Sequence, residues 1–156
     1  MIRLFIDADG CPVKNEVFRV AKRRRLPVYV VSNTRQRIPQ QALVELVVVT
    51  DQFDAADDWI VERVMRNDVV ITADIQLAAR CLKKAARAID PKGRVFDQDS
   101  IGNALANREL AVFLREIGEK SGGPAPFQPA DRSRFLQNFD NLIRAALDHD
   151  ILTSEK

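Results

Sequence analysis

The chain has 156 residues, 46% apolar and 29% charged, with a net charge of +2, the profile of one globular domain with room for its own core. No apolar run approaches the roughly 20 residues of a membrane span, and residues 2–6 are too short for an export signal, so a cytoplasmic protein without membrane contact is expected. Two distant cysteines, Cys11 and Cys81, and one histidine, His149, exclude zinc ribbons, redox dithiols and two-histidine zinc sites, which leaves carboxylates, Lys/Arg, hydroxyls or a hard cation as the means of any catalysis.

Ile2–Ile6 reads as a buried strand, broken by Gly10 and by Pro12, which suits a first helical turn. Val13, Val17, Val20 and Ala21 recur at helical spacing up to the basic run Lys22-Arg23-Arg24-Arg25. Val28–Val31 is a second strand, closed by Ser32, Asn33 and Thr34. A loop or short helix over 35–45 leads to a third strand, Leu46–Thr50, and then a helix over Asp54–Arg66. Val69–Thr72 is a fourth strand, followed by a helix over Asp74–Ala86. Ala88–Ile89 reads as a short fifth strand, Arg94–Phe96 as an edge strand or hairpin arm, and Asp99–Ile117 as a helix. A Gly/Pro-rich connector over 121–130 precedes a last helix with Phe135, Phe139, Leu142 and Ala146 on one stripe. That stripe must pack on the main domain or on a second copy in a homodimer. The expected organisation is an α/β domain over 1–120, a strap and closing helix over 121–150 packed on it, and a tail over 151–156.

Alternating strands and helices with all-apolar strands predict a mainly parallel sheet between two helical layers. In such sheets, sites form where strands end and the topology reverses. The polar residues that follow strands therefore matter most. Asp7 and Asp9 leave the first strand and, at i and i+2 in extended chain, point to the same side. Asp51, Asp54, Asp57 and Asp58 follow the third strand, Asp74 the fourth, and Asp97 and Asp99 the Arg94–Phe96 segment. On the helix over 54–66, the apolar face centres near 80–90° when Ala56 is set at zero, and Asp57 falls at about 100°, at the N-terminal end of that face, with Trp59 well off it. Asp54, Asp74 and Asp99 each have the ordinary alternative of capping a helix. Together, acids converging on one sheet edge repel unless a cation sits among them, and an oxygen-only set without histidine favours Mg²⁺ or Mn²⁺.

Three stretches, Ile6-Asp7-Ala8-Asp9-Gly10-Cys11-Pro12-Val13-Lys14, Asp54-Ala55-Ala56-Asp57-Asp58-Trp59-Ile60 and Ile71-Thr72-Ala73-Asp74-Ile75-Gln76-Leu77-Ala78, together with Gly122-Gly123-Pro124-Ala125-Pro126-Phe127, carry a resemblance across nearly the whole chain. The sequence resembles the YaiI/YqxD family of uncharacterised bacterial proteins, grouped with the PIN-like nuclease domains. The resemblance implies a PIN-like, Rossmann-like three-layer fold and metal-dependent cleavage of RNA. Carried over, the catalytic and metal-binding acids are Asp7, Asp57 and Asp74, with Asp9 as a further metal neighbour and Asp97 or Asp99 as a possible fourth acid. Single-stranded RNA is the expected partner. Asn33 and Ser32, ending the second strand, and Lys14, entering the first helix, are candidate phosphate contacts.

The first 50 residues hold nine Lys/Arg against four Asp/Glu. The basic run Lys22–Arg25 is either a solvated helix end that suits the macrodipole or a phosphate-facing patch. A rival reading is a haloacid-dehalogenase-like phosphatase. Asp7-x-Asp9-Gly10 matches its nucleophile motif, with Thr72, Lys83 or Lys84, and Asp97 with Asp99 imitating later motifs. Pro12 leaves no room for that fold's flap. A third is a non-catalytic RNA-binding or regulatory domain.

Overall fold

A computed structural model describes residues 1–118 and 125–154. Six strands, β1 (Leu4–Asp7), β2 (Val28–Ser32), β3 (Val44–Val48), β4 (Val69–Ile71), β5 (Arg87–Ile89) and β6 (Val95–Phe96), form one sheet in the order β3-β2-β1-β4-β5-β6. All neighbours are parallel except β5 and β6. Five helices connect or follow them: α1 (Lys14–Arg24), α2 (Ala55–Arg63), α3 (Ile75–Lys83), α4 (Ile101–Glu116) and α5 (Pro129–Ser154). The chain winds outward from β1 to β3 and then reverses to β4. The crevice between β1 and β4 is thus the switch point at the C-terminal edge of the sheet.

The period-2 alternation of each strand sorts its side chains into two cores. Leu4 and Ile6 of β1, Val28 and Val30 of β2, and Val69 and Ile71 of β4 join Val17, Val20 and Ala21 of α1 and Phe135, Phe139 and Ile143 of α5. Phe5, Val31 and Val70 point the other way, to Ile60 of α2 and Leu77 and Cys81 of α3. A third cluster seats Ile101 of α4 against Ala78, Leu82, Ala88 and Phe96. The result is the expected three-layer, Rossmann-like α/β arrangement, and no helix among the described residues is long and apolar enough to cross a membrane.

Several boundaries differ from the sequence reading for local reasons. No helix forms between β2 and β3. Strand β3 ends at Val48, because its register against β2 pairs Val48 with Ser32, so Thr50 lies in the following loop. Helix α2 stops at Arg63 rather than Arg66. The carboxylate of buried Asp68 accepts the Met65 amide at 2.9 Å, and Val64 is already extended. Trp59 lies off the face centred on Ile60, yet its ring meets Phe5 and Tyr29 at 6.2 and 5.9 Å, partly covered at the edge of the second core. Asp97, not Asp99, closes the start of α4, where its carboxylate accepts the Ser100 amide at 2.7 Å.

Helix α5 settles the stripe left open by the sequence. Phe135, Phe139, Leu142, Ile143 and Ala146 are all buried in the chain's own core, so that stripe has none of these rings or aliphatic groups left for a second copy. The helix continues through residue 154, past the expected tail boundary at 150. It docks tightly on the β5–β6 turn: a Cβ on Gly93 would lie 2.8 Å from the Arg134 backbone, and the Asn138 amide donates to the Gly93 carbonyl at 2.7 Å. Of the strap, Ala125 is held by Lys92, whose ammonium donates to its carbonyl at 2.6 Å. Phe127 lies under the Arg132 guanidinium. Gly122, Gly123 and Pro124 lie outside the described residues.

Candidate functional site

Six residues separate β1 from α1, and Gly10 makes that turn possible. It adopts φ +76°, while the Cys11 amide returns to the Ala8 carbonyl at 3.2 Å. This tight exit holds Asp7 and Asp9 at the C-terminal edge of the sheet. Asp7 accepts a hydrogen bond from the Thr72 hydroxyl at 2.8 Å, and the same oxygen of Thr72 accepts the Asp74 amide at 2.9 Å. Thr72, fully buried after β4, thereby fixes the spacing of two acids across the switch point. Asp74 caps α3 as expected. Its Oδ1 accepts the amides of Gln76 and Leu77, and Oδ2 is left for the cavity.

Asp57 arrives from the opposite side, on the first turn of α2. Its neighbour Asp54 occupies the N-cap position but makes no capping hydrogen bond, and its backbone is left-handed at φ 62°. The capping role expected for Asp54 is therefore absent. The same strained turn presents it to solvent beside Asp57. Asp7, Asp9, Asn33, Thr50, Gln52, Asp54, Asp57 and Asp74 line one small cavity of about 230 Å³, walled otherwise by Ala55 and Ala56.

The electrostatics follow from this crowding. Partial burial, together with the charges of Asp74, Asp7 and Asp54, pushes Asp57 up to about 7 against the weak pull of Arg80. Burial also raises Asp7, opposed by its bond from Thr72 and reinforced by Asp74 and Asp9. Arg80 is committed to Asp58 at 3.0 Å, so the cavity has little cationic compensation of its own. Among the described residues, no three His, Cys, Asp or Glu side chains lie close enough to form a ready-made ion site. The acids surround a space rather than a finished coordination shell.

The other candidate residues separate into two groups. Asn33 lines the cavity, and its amide donates to Asp9 at 3.1 Å. Ser32 is buried and faces inward. Its hydroxyl donates to Asp9 at 2.7 Å and accepts from Gln36 and the Thr34 amide, so it positions Asp9 instead of meeting a ligand. Lys14 stands one step back, its ammonium 2.5 Å from the Gln36 carbonyl oxygen. Asp9, with donors from Ser32, Asn33 and Gln36, is the best satisfied of the four acids. Burial pushes the Cys11 thiol up to about 11, in keeping with a packing role.

Three further groups of residues lie away from the site. Asp97 and Asp99 cannot join the site, because β6 is antiparallel and returns the chain to the N-terminal edge of the sheet. Lys22–Arg25 lies at that same far edge, at the end of α1. Of its two readings the solvated helix end holds: Lys22, Arg23 and Arg25 are exposed, Arg23 and Arg24 bind Asp140 of α5 at 3.2 and 2.9 Å, and the run does not face the acids. Lys83 and Lys84 also sit at the far end, on α3 and its cap, with Lys84 donating to the Val61 carbonyl. The sequence reading passed over Thr72 and Gln36 as positioning groups. Thr72 was signalled by a polar residue directly after an apolar strand, whereas Gln36 had no local signal. Phe53, between cavity residues Gln52 and Asp54, is 93% exposed.

Fold and site together define a Rossmann-like α/β protein with an acidic cavity at its topological switch point. The chain belongs to the uncharacterised YaiI/YqxD family, whose model matches residues 5–145. It is 54% identical to a UPF0178 protein of Rhodospirillum centenum over 149 residues, covering 93% of this chain and 97% of that protein. A Rhodospirillum rubrum UPF0178 protein is also 54% identical, over 92% of this chain and 97% of its own length. One from Rhodopseudomonas palustris is 51% identical, over 92% and 91%.

Proposed function

We propose that the chain is a PIN-like, divalent-metal-dependent nuclease that hydrolyses phosphodiesters of single-stranded RNA in the cytoplasm. The observation that carries this reading is the meeting of Asp7, Asp57 and Asp74, from β1, α2 and the cap of α3, at one oxygen-lined cavity where Asp57 is held up to about 7. Such repulsion is the state a divalent cation relieves. The donor set is hard and free of sulfur and imidazole, which fits Mg²⁺ or Mn²⁺. Asp7, Asp57 and Asp74 would hold the ion, with Asp9 beside them. When bound, such an ion activates water and offsets charge on the phosphoryl oxygens.

The residues of the chain supply the rest. Thr72 keeps Asp7 and Asp74 at fixed spacing, and Ser32 and Gln36 hold the Asp9 carboxylate in place on the cavity wall. Asp57, held up to about 7, would give up its proton to serve as a ligand to such an ion. Asn33, which lines the cavity, would donate to a phosphate oxygen. Phe53 offers an exposed ring on which an unpaired base can stack, and stacking needs no particular base. The exposed Arg35, two residues beyond Asn33, is the nearer candidate for the backbone than the distant Lys22–Arg25 run.

The phosphatase alternative finds less support. Six residues between β1 and α1 leave no flap, and Lys83 and Lys84 are at the wrong edge. The test is cleavage of end-labelled single-stranded RNA with Mn²⁺ and with excess chelator. Asp7→Asn, Asp57→Asn and Asp74→Asn should each lower the metal-dependent rate by about 100-fold or more, with circular dichroism unchanged. Equal cleavage by wild type and all three variants would refute the reading. A phosphate trapped covalently on Asp7 would favour the phosphatase.

A further inference from the structure

A second cavity lies at the opposite edge of the sheet and takes no part in the proposed chemistry. Its volume is about 520 Å³, in the range of small-molecule sites. It forms where Asn67, before β4, Arg87, opening β5, and Asp97, after β6, come together beneath the end of α3. Its charged lining is Arg66, Lys83 and Arg87 against Asp97 alone. The Asp97 carboxylate is already engaged by the Ser100 amide. Among the described residues, none of the three cations forms an ion pair, although carboxylates neutralise many other arginines of this chain.

Two donors at this cavity are buried without an acceptor: Nε of Arg87 and the side-chain amide nitrogen of Asn67. Asn67 is 5% exposed, so water does not serve it. A buried donor without a partner costs about 1–3 kcal/mol. Both atoms are sealed from solvent, so the charge that the cavity offers a ligand comes from the three cations of its wall. The remaining wall is mostly apolar, from Leu82, Ala86, Val95, Phe96 and Leu142, with Gln98 and His149 as its polar members.

We propose that this cavity is a second binding site, for a small phosphate monoester with an apolar organic part. Three cations against one carboxylate leave an excess of two positive charges, which matches the nearly doubly charged phosphate of a monoester near neutral pH. Arg87, Lys83 and Arg66 supply the positive charge that suits phosphate. The apolar wall takes the organic group. The site is independent of the acidic cavity and of the nuclease reading.

The test is calorimetric and thermal-shift titration of the full-length protein with phenyl phosphate, inorganic phosphate and phenol. Phenyl phosphate should bind and raise the melting temperature, inorganic phosphate should bind more weakly, and phenol should not bind. Affinity should fall about tenfold or more in Arg87→Gln and in the double variant Arg66→Ala/Lys83→Ala, whose side chains are exposed and whose fold is safe. It should be unchanged in Asp7→Asn. No binding of either phosphate, or affinity unchanged in the double variant, would overturn the assignment, whatever the behaviour of Arg87→Gln.

Discussion

Asp57 is the residue on which charge and stability meet. In the fold it holds its proton up to about 7, whereas its ordinary value is 3.8. Between those values the folded chain binds more protons than the unfolded one, so this residue's contribution to stability falls as pH rises from about 4 and levels off above about 7. Asp7, also raised, acts in the same direction. Asp57→Asn should therefore stabilise the metal-free protein at pH 8, by about 1 kcal/mol, the scale of a partly solvated repulsion. Urea unfolding at pH 5 and pH 8 checks this, and a wild-type midpoint that does not fall between them would count against it. Phe53 gives a second expectation. Phe53→Ala should leave the melting temperature unchanged and weaken binding of single-stranded RNA about fivefold or more, measured by fluorescence anisotropy in chelator, with Phe53→Tyr restoring it. At this scale the sequence was legible where a residue's position in a strand fixes its direction. Asp7 and Asp74 follow apolar strands, and both reach the cavity. It was silent where a contact spans many residues. Ser32 looked like a ligand contact from its place after β2, but only the tertiary structure shows it turned inward under Asp9. Asp97 was misplaced because a two-residue strand carries no mark of its direction.

At the scale of elements, the long closing helix is the chief finding. α5 lays two phenylalanine rings, stacked at 5.0 Å, into the core beneath β1 and beside α1. It is fastened by Arg23 and Arg24 to Asp140 at one end of α1 and by Arg132 to Glu16 at the other. Phe139→Ala should cost about 3–5 kcal/mol, since the ring is fully buried and its neighbours belong to rigid strands. Chemical denaturation measures it, and a loss below about 1 kcal/mol would show the helix to be loosely attached. The stripe on this helix was plain from periodicity, but periodicity cannot say whose surface it meets. The strands were legible for a related reason: a sheet covered on both faces needs unbroken apolar runs, and β1, β2 and β4 have them. Edge strand β3 is half-exposed, and its ends were accordingly misjudged. The end of α2 was hidden because Asp68, buried against Arg3, stops it through a side-chain bond that no helix propensity encodes.

Taken whole, the molecule separates its charges by the two edges of one sheet. The C-terminal edge gathers carboxylates around a small polar cavity, and the N-terminal edge gathers Arg66, Lys83 and Arg87 around a larger, mostly apolar one. A net charge of +2 conceals this polarity. The scarcity of histidine and cysteine now has structural content, because the switch point is furnished with oxygen donors and the buried Cys11 is a packing group. The central claim is that the acidic cavity closes on a divalent cation. Titration of Mn²⁺ into the wild-type protein by calorimetry at pH 7, in buffers of different ionisation heat, tests it most directly. Saturable binding with proton release is expected, since Asp57 must ionise, with loss of both binding and release in Asp57→Asn and Asp7→Asn. No binding of Mn²⁺, or binding undiminished in both variants, would contradict it.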